Sequence, residues 1–177
     1  MSLALNFMGF QIGWFACVLS AAAGQSSLGI IVAVIILGFH LYCTRLLVPE
    51  FILMLSTIAI GLVWESLLMS PGWLYYPSAA PGALIAPLWL VALWALFSTT
   101  INVSMAWLKD RWVLASLMGA FFGPMAFIAG EKLGAVIFVA RYEALFALAI
   151  GWALLMPFIL WLADNCQHRF QFLDRVK

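Results

Sequence analysis

The residues best suited to chemistry lie between two apolar segments, in residues 130–143. The chain has only 8 Lys or Arg and 7 Asp or Glu residues, and four of these charges fall in this stretch: Glu131, Lys132, Arg141 and Glu143. Glu65 stands apart as the acid that lies furthest inside an apolar run. Charged residues in apolar surroundings usually pair or line a polar cavity, so these side chains could hold the head of a ligand or a proton.

A second set of residues could bind a metal. His40 and Cys43 are three residues apart, and Cys166 and His168 lie near the end of the sequence. Two His with two Cys can bind zinc, and a single His can bind haem iron. The spacing matches no standard metal motif, so we predict no metal and no cofactor. A membrane enzyme or redox partner that uses these four residues is kept as the alternative.

A third set consists of uncharged polar residues inside apolar segments: Asn6, Gln11, Ser98 and Asn102. Ser98 and Asn102 are four residues apart, so they share one face of a helix. Hydrogen bonds between membrane helices explain such residues, and a polar path or cavity is the alternative.

The composition predicts where these residues are held. Of the 177 residues, 67% are hydrophobic and 8% are charged, and the mean hydropathy is +1.13. A soluble domain has about 25% charged residues, so this chain has too few charges to cover a surface that faces water. We therefore predict an integral membrane protein whose partner is the lipid bilayer. A net charge of +1 without a basic stripe predicts no nucleic-acid partner.

The apolar runs predict an all-α bundle of about six transmembrane helices. A helix needs about 20 apolar residues to cross a bilayer. The candidate spans are residues 5–23, 28–44, 49–69, 83–108, 112–129 and 144–163. They form a single transmembrane domain over residues 1–177, with a polar tail at residues 164–177.

The basic residues predict the orientation, because cytoplasmic loops retain Lys and Arg. With both termini inside, six basic residues are cytoplasmic: Arg45, Lys109, Arg111, Arg169, Arg175 and Lys177. Only Lys132 and Arg141 are then outside. The uncharged loop that holds Tyr75 and Tyr76 lies at the outer interface, where aromatic rings settle at headgroup depth.

Seven residues are thus predicted near the outer face: Glu65, Tyr75, Tyr76, Glu131, Lys132, Arg141 and Glu143. In one interpretation they bind a lipid-like or small apolar ligand, with Glu65 and Arg141 as charged contacts and the two Tyr rings as a wall. In the other, Glu65 forms a structural ion pair with Lys132 or Arg141, or the side chains extend to the headgroups. Positions near an interface favour the structural interpretation, and Glu65 is the best functional candidate.

Two glycine pairs have the spacing at which membrane helices approach closely. They are Gly9 with Gly13 and Gly119 with Gly123. We expect packing within the chain, and a homodimer or a membrane partner docked on these faces is the alternative. If a membrane partner docks on these faces, the protein would be an assembly subunit.

Four short motifs carry a resemblance to a known family. They are the run at residues 6–15, the Trp64–Glu65 pair, the Tyr75–Tyr76–Pro77 loop and the turn at residues 130–134. In these motifs the chain resembles a family of small bacterial inner-membrane proteins that is known only as a domain of unknown function. The resemblance implies a multi-pass protein of the bacterial plasma membrane and supplies no catalytic residues. Such proteins are often encoded near enzymes that modify membrane fatty acids, which favours a lipid-like ligand.

Overall fold

Helices dominate the structure, a computed structural model that describes residues 2–80 and 83–176, with side chains as far as Arg169. The helices are α1 Leu3–Ala22, α2 Ser26–Cys43, α3 Leu47–Met69, α4 Leu88–Ile101, α5 Trp112–Lys132 and α6 Arg141–Val176. A short 3-10 helix, Ala106–Leu108, precedes α5. Two short strands, β1 Leu74–Tyr75 and β2 Ile137–Phe138, pair antiparallel with Leu74 opposite Phe138. The predicted all-α bundle is confirmed.

Five of the helices, all except α4, are long and apolar enough to cross a membrane. Their outward faces carry large exposed apolar side chains, among them Ile35, Val113 and Phe146. A surface of this kind needs lipid around it, because isolated soluble proteins rarely expose large apolar patches. The helices therefore indicate a multi-pass membrane protein, as predicted.

The fourth helix is shorter than the predicted span at residues 83–108. It has 14 residues, which is about 21 Å at 1.5 Å per residue, less than the roughly 30 Å of a hydrocarbon core. Pro87, which has no backbone N–H and suits a helix start, precedes it. Beyond Asn102 the chain turns, and the amides of Val103 and Met105 both donate to the Thr100 carbonyl. The irregular segment is tolerated because neighbouring helices cover it.

The α4 helix occupies the centre of the bundle. It packs against α1, α2 and α3, and ten of its fourteen residues are buried. A short helix enclosed in this way needs no lipid-facing stripe, which explains why its sequence is apolar all round.

The last helix is longer than the predicted span at residues 144–163. It begins at Arg141 and continues for 36 residues to Val176, so the predicted polar tail extends the helix. The predicted contacts of the tail with headgroups involve side chains beyond Arg169, which lie outside the described part.

Side-chain contacts show which helix ends lie together. Asn6, near the start of α1, donates to the Thr99 carbonyl at the end of α4. Lys109, a few residues further on, donates to Gln167 near the end of α6. Both termini therefore lie at the same end of the bundle, which we call the terminal end. The opposite end carries β1 and β2, and we call it the hairpin end.

Three contacts between a tryptophan ring and a glycine link four helices: α4 to α3, α3 to α6, and α6 to α5. The contacts are Trp94 of α4 on Gly61 of α3, Trp64 of α3 on Gly151 of α6, and Trp152 of α6 on Gly123 of α5. A Cβ atom at any of these glycines would overlap the facing indole. These Trp–Gly joints therefore set how closely the helices approach.

The predicted glycine pairs also face helices of the same chain. Gly9 and Gly13 face Ile36 of α2, and Gly13 also meets Leu96 of α4. Gly119 packs on the Trp152 carbonyl of α6. These contacts are the expected packing within the chain, and a homodimer or docked partner stays a prediction.

Candidate functional site

Glu65 is buried in the bundle near the hairpin end, with 1% of its surface exposed. Its Oε2 accepts a hydrogen bond of 2.9 Å from the Tyr76 hydroxyl. Its Oε1 accepts one of 3.1 Å from the Trp94 indole Nε1. No basic side chain among residues 2–80 and 83–169 lies within 4.0 Å of it. The carboxyl group is therefore held by two neutral donors.

The local sequence explains how these three residues meet. Glu65 lies four residues after Gly61, on the face of α3 where Trp94 packs against that glycine. After α3 the chain turns at Gly72, whose φ is 73°, and enters β1. Because successive strand residues point to opposite sides, Tyr75 is 43% exposed and the following Tyr76 is 1% exposed.

The Tyr76 hydroxyl keeps its proton and donates it in the hydrogen bond to Glu65. Burial, together with the neighbouring Glu65, raises the pKa of its phenol well above the ordinary value near 10. Its ring also packs edge-on against Trp89, at 5.8 Å between centroids. The neutral hydroxyl therefore closes the site over Glu65.

Two further indole N–H groups, on rings that pack in the same part of the bundle, lack a hydrogen-bond partner among the described residues. These are the Nε1 atoms of Trp64 and Trp152, and both are buried. Trp64 is the residue before Glu65, and Trp152 stacks on Trp94 with centroids 5.1 Å apart and planes at 11°. Unpaired buried donors cost about 1–3 kcal/mol each. The hairpin-end site, meaning Glu65, Tyr76, Trp94, Trp64 and Trp152, thus combines one carboxyl group with two free donors.

The predicted ion pair between Glu65 and Lys132 or Arg141 is wrong. Arg141 instead donates to Glu131 at 2.7 Å, and both side chains are partly exposed. The chain reverses at Gly134, with φ 89°, and this turn returns Arg141 to the end of α5.

The predicted outer cluster is accordingly divided in two. Glu65 and Tyr76 are buried, whereas the charged residues of residues 130–143 lie at the surface, with Lys132 and Glu143 exposed. Tyr75 lies between the two groups, on the exposed side of β1. The sequence could not separate them, because all seven residues share the same end of the bundle.

A second buried acid, which the sequence interpretation did not select, lies at the terminal end. Glu50 is 7% exposed and lies in the first turn of α3. Its Oε2 is 3.3 Å from His40 Nε2, and its Oε1 accepts a 2.8 Å hydrogen bond from Asn102 Nδ2. The sequence feature that could have identified Glu50 is an acid at the start of an apolar run, ten residues after His40.

The uncharged polar candidates inside the apolar segments have different roles. Asn6 donates to Thr99 O and accepts from Ser104 N at 3.2 Å, so it caps the end of α4. The Ser98 hydroxyl donates to Ala95 O within its own helix. Gln11 is half-buried on α1. The bond of Asn6 crosses from α1 to α4, as expected of such residues, whereas that of Ser98 stays within its own helix.

The four residues of the alternative metal site are engaged separately. His40 contacts Glu50, and His168 contacts Asp164 at 3.3 Å. Cys43 and Cys166 are free thiols. Within the described residues, no three His, Cys, Asp or Glu side chains converge as metal ligands.

A shallow cleft lies between α5 and α6 at the terminal end. Lys109, Trp112, Trp161 and Asp164 are among its lining residues. Lys109 Nζ lies 3.8 Å from Asp164 Oδ1. Burial lowers the pKa of Lys109, although Asp164 and Glu50 act in the opposite direction.

No curated protein and no solved structure matches the chain. A family model described as "Protein of unknown function (DUF2878)" matches residues 3–158, a range that holds both Glu65 and Glu50. The match confirms the predicted resemblance to a family of unknown function and covers nearly the whole chain. The protein therefore belongs to the DUF2878 family.

Proposed function

We propose that the protein binds, and moves, a small lipid-like ligand at the hairpin-end site. The observation that carries the proposal is the buried Glu65 carboxyl group, which has no cation within 4.0 Å among the described residues. In the same residues, the buried indole N–H groups of Trp64 and Trp152 have no acceptor. Ionisable residues inside a membrane bundle are expensive and usually functional. A purely structural network would leave fewer of its donors unpaired.

The free groups indicate the chemistry of the ligand's polar head. The Trp64 and Trp152 indoles require an acceptor, and Glu65 accepts from a donor. A hydroxyl or a carboxylic acid provides both in one small group. The aromatic rings around the site, including Phe97 packed edge-on against Trp152 at 5.4 Å, suit an apolar chain.

Tyr76 defines the closed state of the site. Its hydroxyl occupies the position on Glu65 that the ligand head would take. Binding therefore requires Tyr76 to withdraw and the ligand to replace its hydrogen bond. The surface pair of Arg141 and Glu131 takes no part in this exchange.

The proposal includes a bacterial inner-membrane location with both termini in the cytoplasm. Arg45, Lys109, Arg111 and Arg169 belong to the terminal end, and Lys132 and Arg141 to the hairpin end. This bias agrees with the rule that basic residues stay inside. The site then lies near the outer leaflet.

Photolabelling tests the proposal. The protein in lipid vesicles is incubated with a fatty acid that carries a photoreactive diazirine, and the labelled peptides are identified by mass spectrometry. We expect labelling of the α3 and β1 peptides in the wild type and about tenfold less in Glu65→Gln, since a hydrogen bond to a charged group contributes about 1.5–3 kcal/mol. Glu131→Gln, at the surface pair, is the matched control. Equal labelling of wild type and a folded Glu65→Gln would refute the proposal.

A further inference from the structure

The His40–Glu50 pair at the terminal end has features that a structural ion pair does not need. His40 is 4% exposed and Glu50 is 7% exposed. The second ring nitrogen of His40, Nδ1, is buried and has no hydrogen-bond partner among residues 2–80 and 83–169. The Oδ1 atom of Asn102, whose amide binds Glu50, is likewise buried and unpaired. Nearly all buried polar groups in proteins have partners, so two orphans around one acid require an explanation.

We infer that His40 and Glu50 form a proton-binding site at the terminal end of the bundle. With a neutral imidazole and an ionised Glu50, the pair carries one net negative charge in an enclosed place. One proton taken from water at that end converts the pair to an imidazolium beside a carboxylate, with no net charge. Uptake therefore removes the cost of a lone buried charge.

The orphan nitrogen of His40 matches this change. If Nε2–H of a neutral His40 donates to Glu50, Nδ1 is a free acceptor, and it is the atom that receives the proton. Once protonated, Nδ1 becomes a hydrogen-bond donor. The proton changes position only, and no bond other than N–H is formed.

Few other charges act on the pair. The α1 helix contributes only uncharged Asn6 and Gln11 near this end, and α4 contributes no acid or base at all. Lys109, beyond α4, interacts electrostatically with Glu50 and opposes uptake, because a nearby cation disfavours a second positive charge on His40. Arg45, in the connection between α2 and α3, is exposed and screened by solvent.

The site is independent of the ligand proposed for the hairpin end. It lies 15 residues from Glu65 along α3, about 22 Å at 1.5 Å per residue. It can therefore be tested on the protein without a ligand. If the ligand proposal for Glu65 is refuted, the proton-binding inference is unaffected. If the proton-binding inference is refuted, the ligand proposal is unaffected.

The chain is well suited to a direct test because it contains only 2 histidines. The full chain, labelled with 15N-histidine and 13C-glutamate, is placed in lipid nanodiscs, and its NMR spectrum is followed between about pH 5 and 8, where histidine charge changes are observed. His168 is 74% exposed on its side chain and serves as the internal reference. We expect the His40 nitrogens to change from the neutral to the doubly protonated pattern.

The variant Glu50→Gln removes the counter-charge. We expect the doubly protonated fraction of His40 at mildly acidic pH to be smaller than in the wild type, because the variant no longer offers the imidazolium a carboxylate partner. Glu131→Gln, at the hairpin-end surface, should leave the His40 response unchanged. A His40 signal that stays neutral throughout, or one that is identical in wild type and Glu50→Gln, overturns the inference.

The wild-type spectrum decides the matter even if Glu50→Gln does not fold. A glutamate carboxyl resonance that follows the same pH curve as His40 supports a shared site. A titrating His40 with no glutamate signal that follows it overturns the inference, because the two residues would then bind protons separately.

Discussion

At the scale of single residues, the two buried acids of α3 differ in their partners. Glu65 is held by two neutral donors, Tyr76 and Trp94. Glu50 is held by one neutral donor, Asn102, and by His40, which can itself carry a charge. A neutral donor stabilises a carboxylate without cancelling its charge, whereas an imidazolium cancels it. The two sites therefore suit different ligands.

Removing the Tyr76 hydroxyl should destabilise the closed state. In Tyr76→Phe the ring remains and one hydrogen bond to Glu65 is lost, so we expect the free energy of unfolding to fall by about 1.5–3 kcal/mol. Unfolding in mixed detergent micelles measures the change. Tyr142→Phe, at an 84% exposed position, is the control and should be neutral. A Tyr76→Phe protein as stable as the wild type would show that this hydrogen bond contributes little.

Alkaline pH should weaken the fold through the same hydroxyl. Burial, with Glu65 beside it, raises the pKa of Tyr76 above that of an unfolded tyrosine. The resulting stabilisation is complete below about pH 10, the unfolded value, and is lost as the pH rises towards the folded one. Stability measured against pH should therefore fall less steeply above pH 10 in Tyr76→Phe than in the wild type. Stability curves of equal slope above pH 10 in the two proteins would contradict this prediction.

At the scale of elements, the Trp–Gly joints explain how so polar a site is kept in place. Trp94 reaches Glu65 because its ring lies flat against Gly61. Trp152 then stacks on Trp94 and packs on Gly123 of α5. Each joint fixes both a helix spacing and the position of an indole N–H.

Adding a side chain at the glycine of a Trp–Gly joint should lower the stability of the bundle. In Gly61→Ala the added methyl overlaps the Trp94 indole, and we expect a loss of about 1–3 kcal/mol of stability together with weaker Glu65 contacts. Gly38→Ala is the control, because a Cβ there meets nothing within 4 Å. Its effect should be neutral or stabilising by about 0.5–1 kcal/mol, since alanine favours a helix. Equal losses in both variants would argue against the joint.

The elements also show how far the sequence could be interpreted. The starts and ends of α1, α2, α3 and α5 follow from apolar runs broken by Gly, Pro or charge. The end of α4 does not, because Asn6, 93 residues away, caps it. Arg141 was misplaced beside Glu65 for a similar reason. The turn at Gly134 and the two-residue pairing of β1 with β2 have no periodic signal.

At the scale of the whole molecule, the two ends differ in their chemistry and in their position across the membrane. The terminal end holds both termini and a predominance of basic residues, and the hairpin end holds the closed Glu65 site. With the orientation proposed above, the first faces the cytoplasm and the second faces outward.

Labelling with a membrane-impermeant maleimide tests this orientation. In a Cys43→Ser, Cys166→Ser background, where the buried Cys17 remains, we expect Tyr142→Cys to react in intact cells. Arg45→Cys, exposed at the terminal end, should react only after the cells are opened. The reverse pattern would place the termini outside.

The shortness of α4 has a consequence for the electric field. A helix of about 21 Å inside a hydrocarbon layer of about 30 Å leaves polar, irregular chain at one of its ends. With the orientation proposed above, most of the transmembrane voltage would fall between Glu50 and Glu65. A charge carried from one acid to the other would cross most of that voltage, worth about 2.3 kcal/mol for each 100 mV.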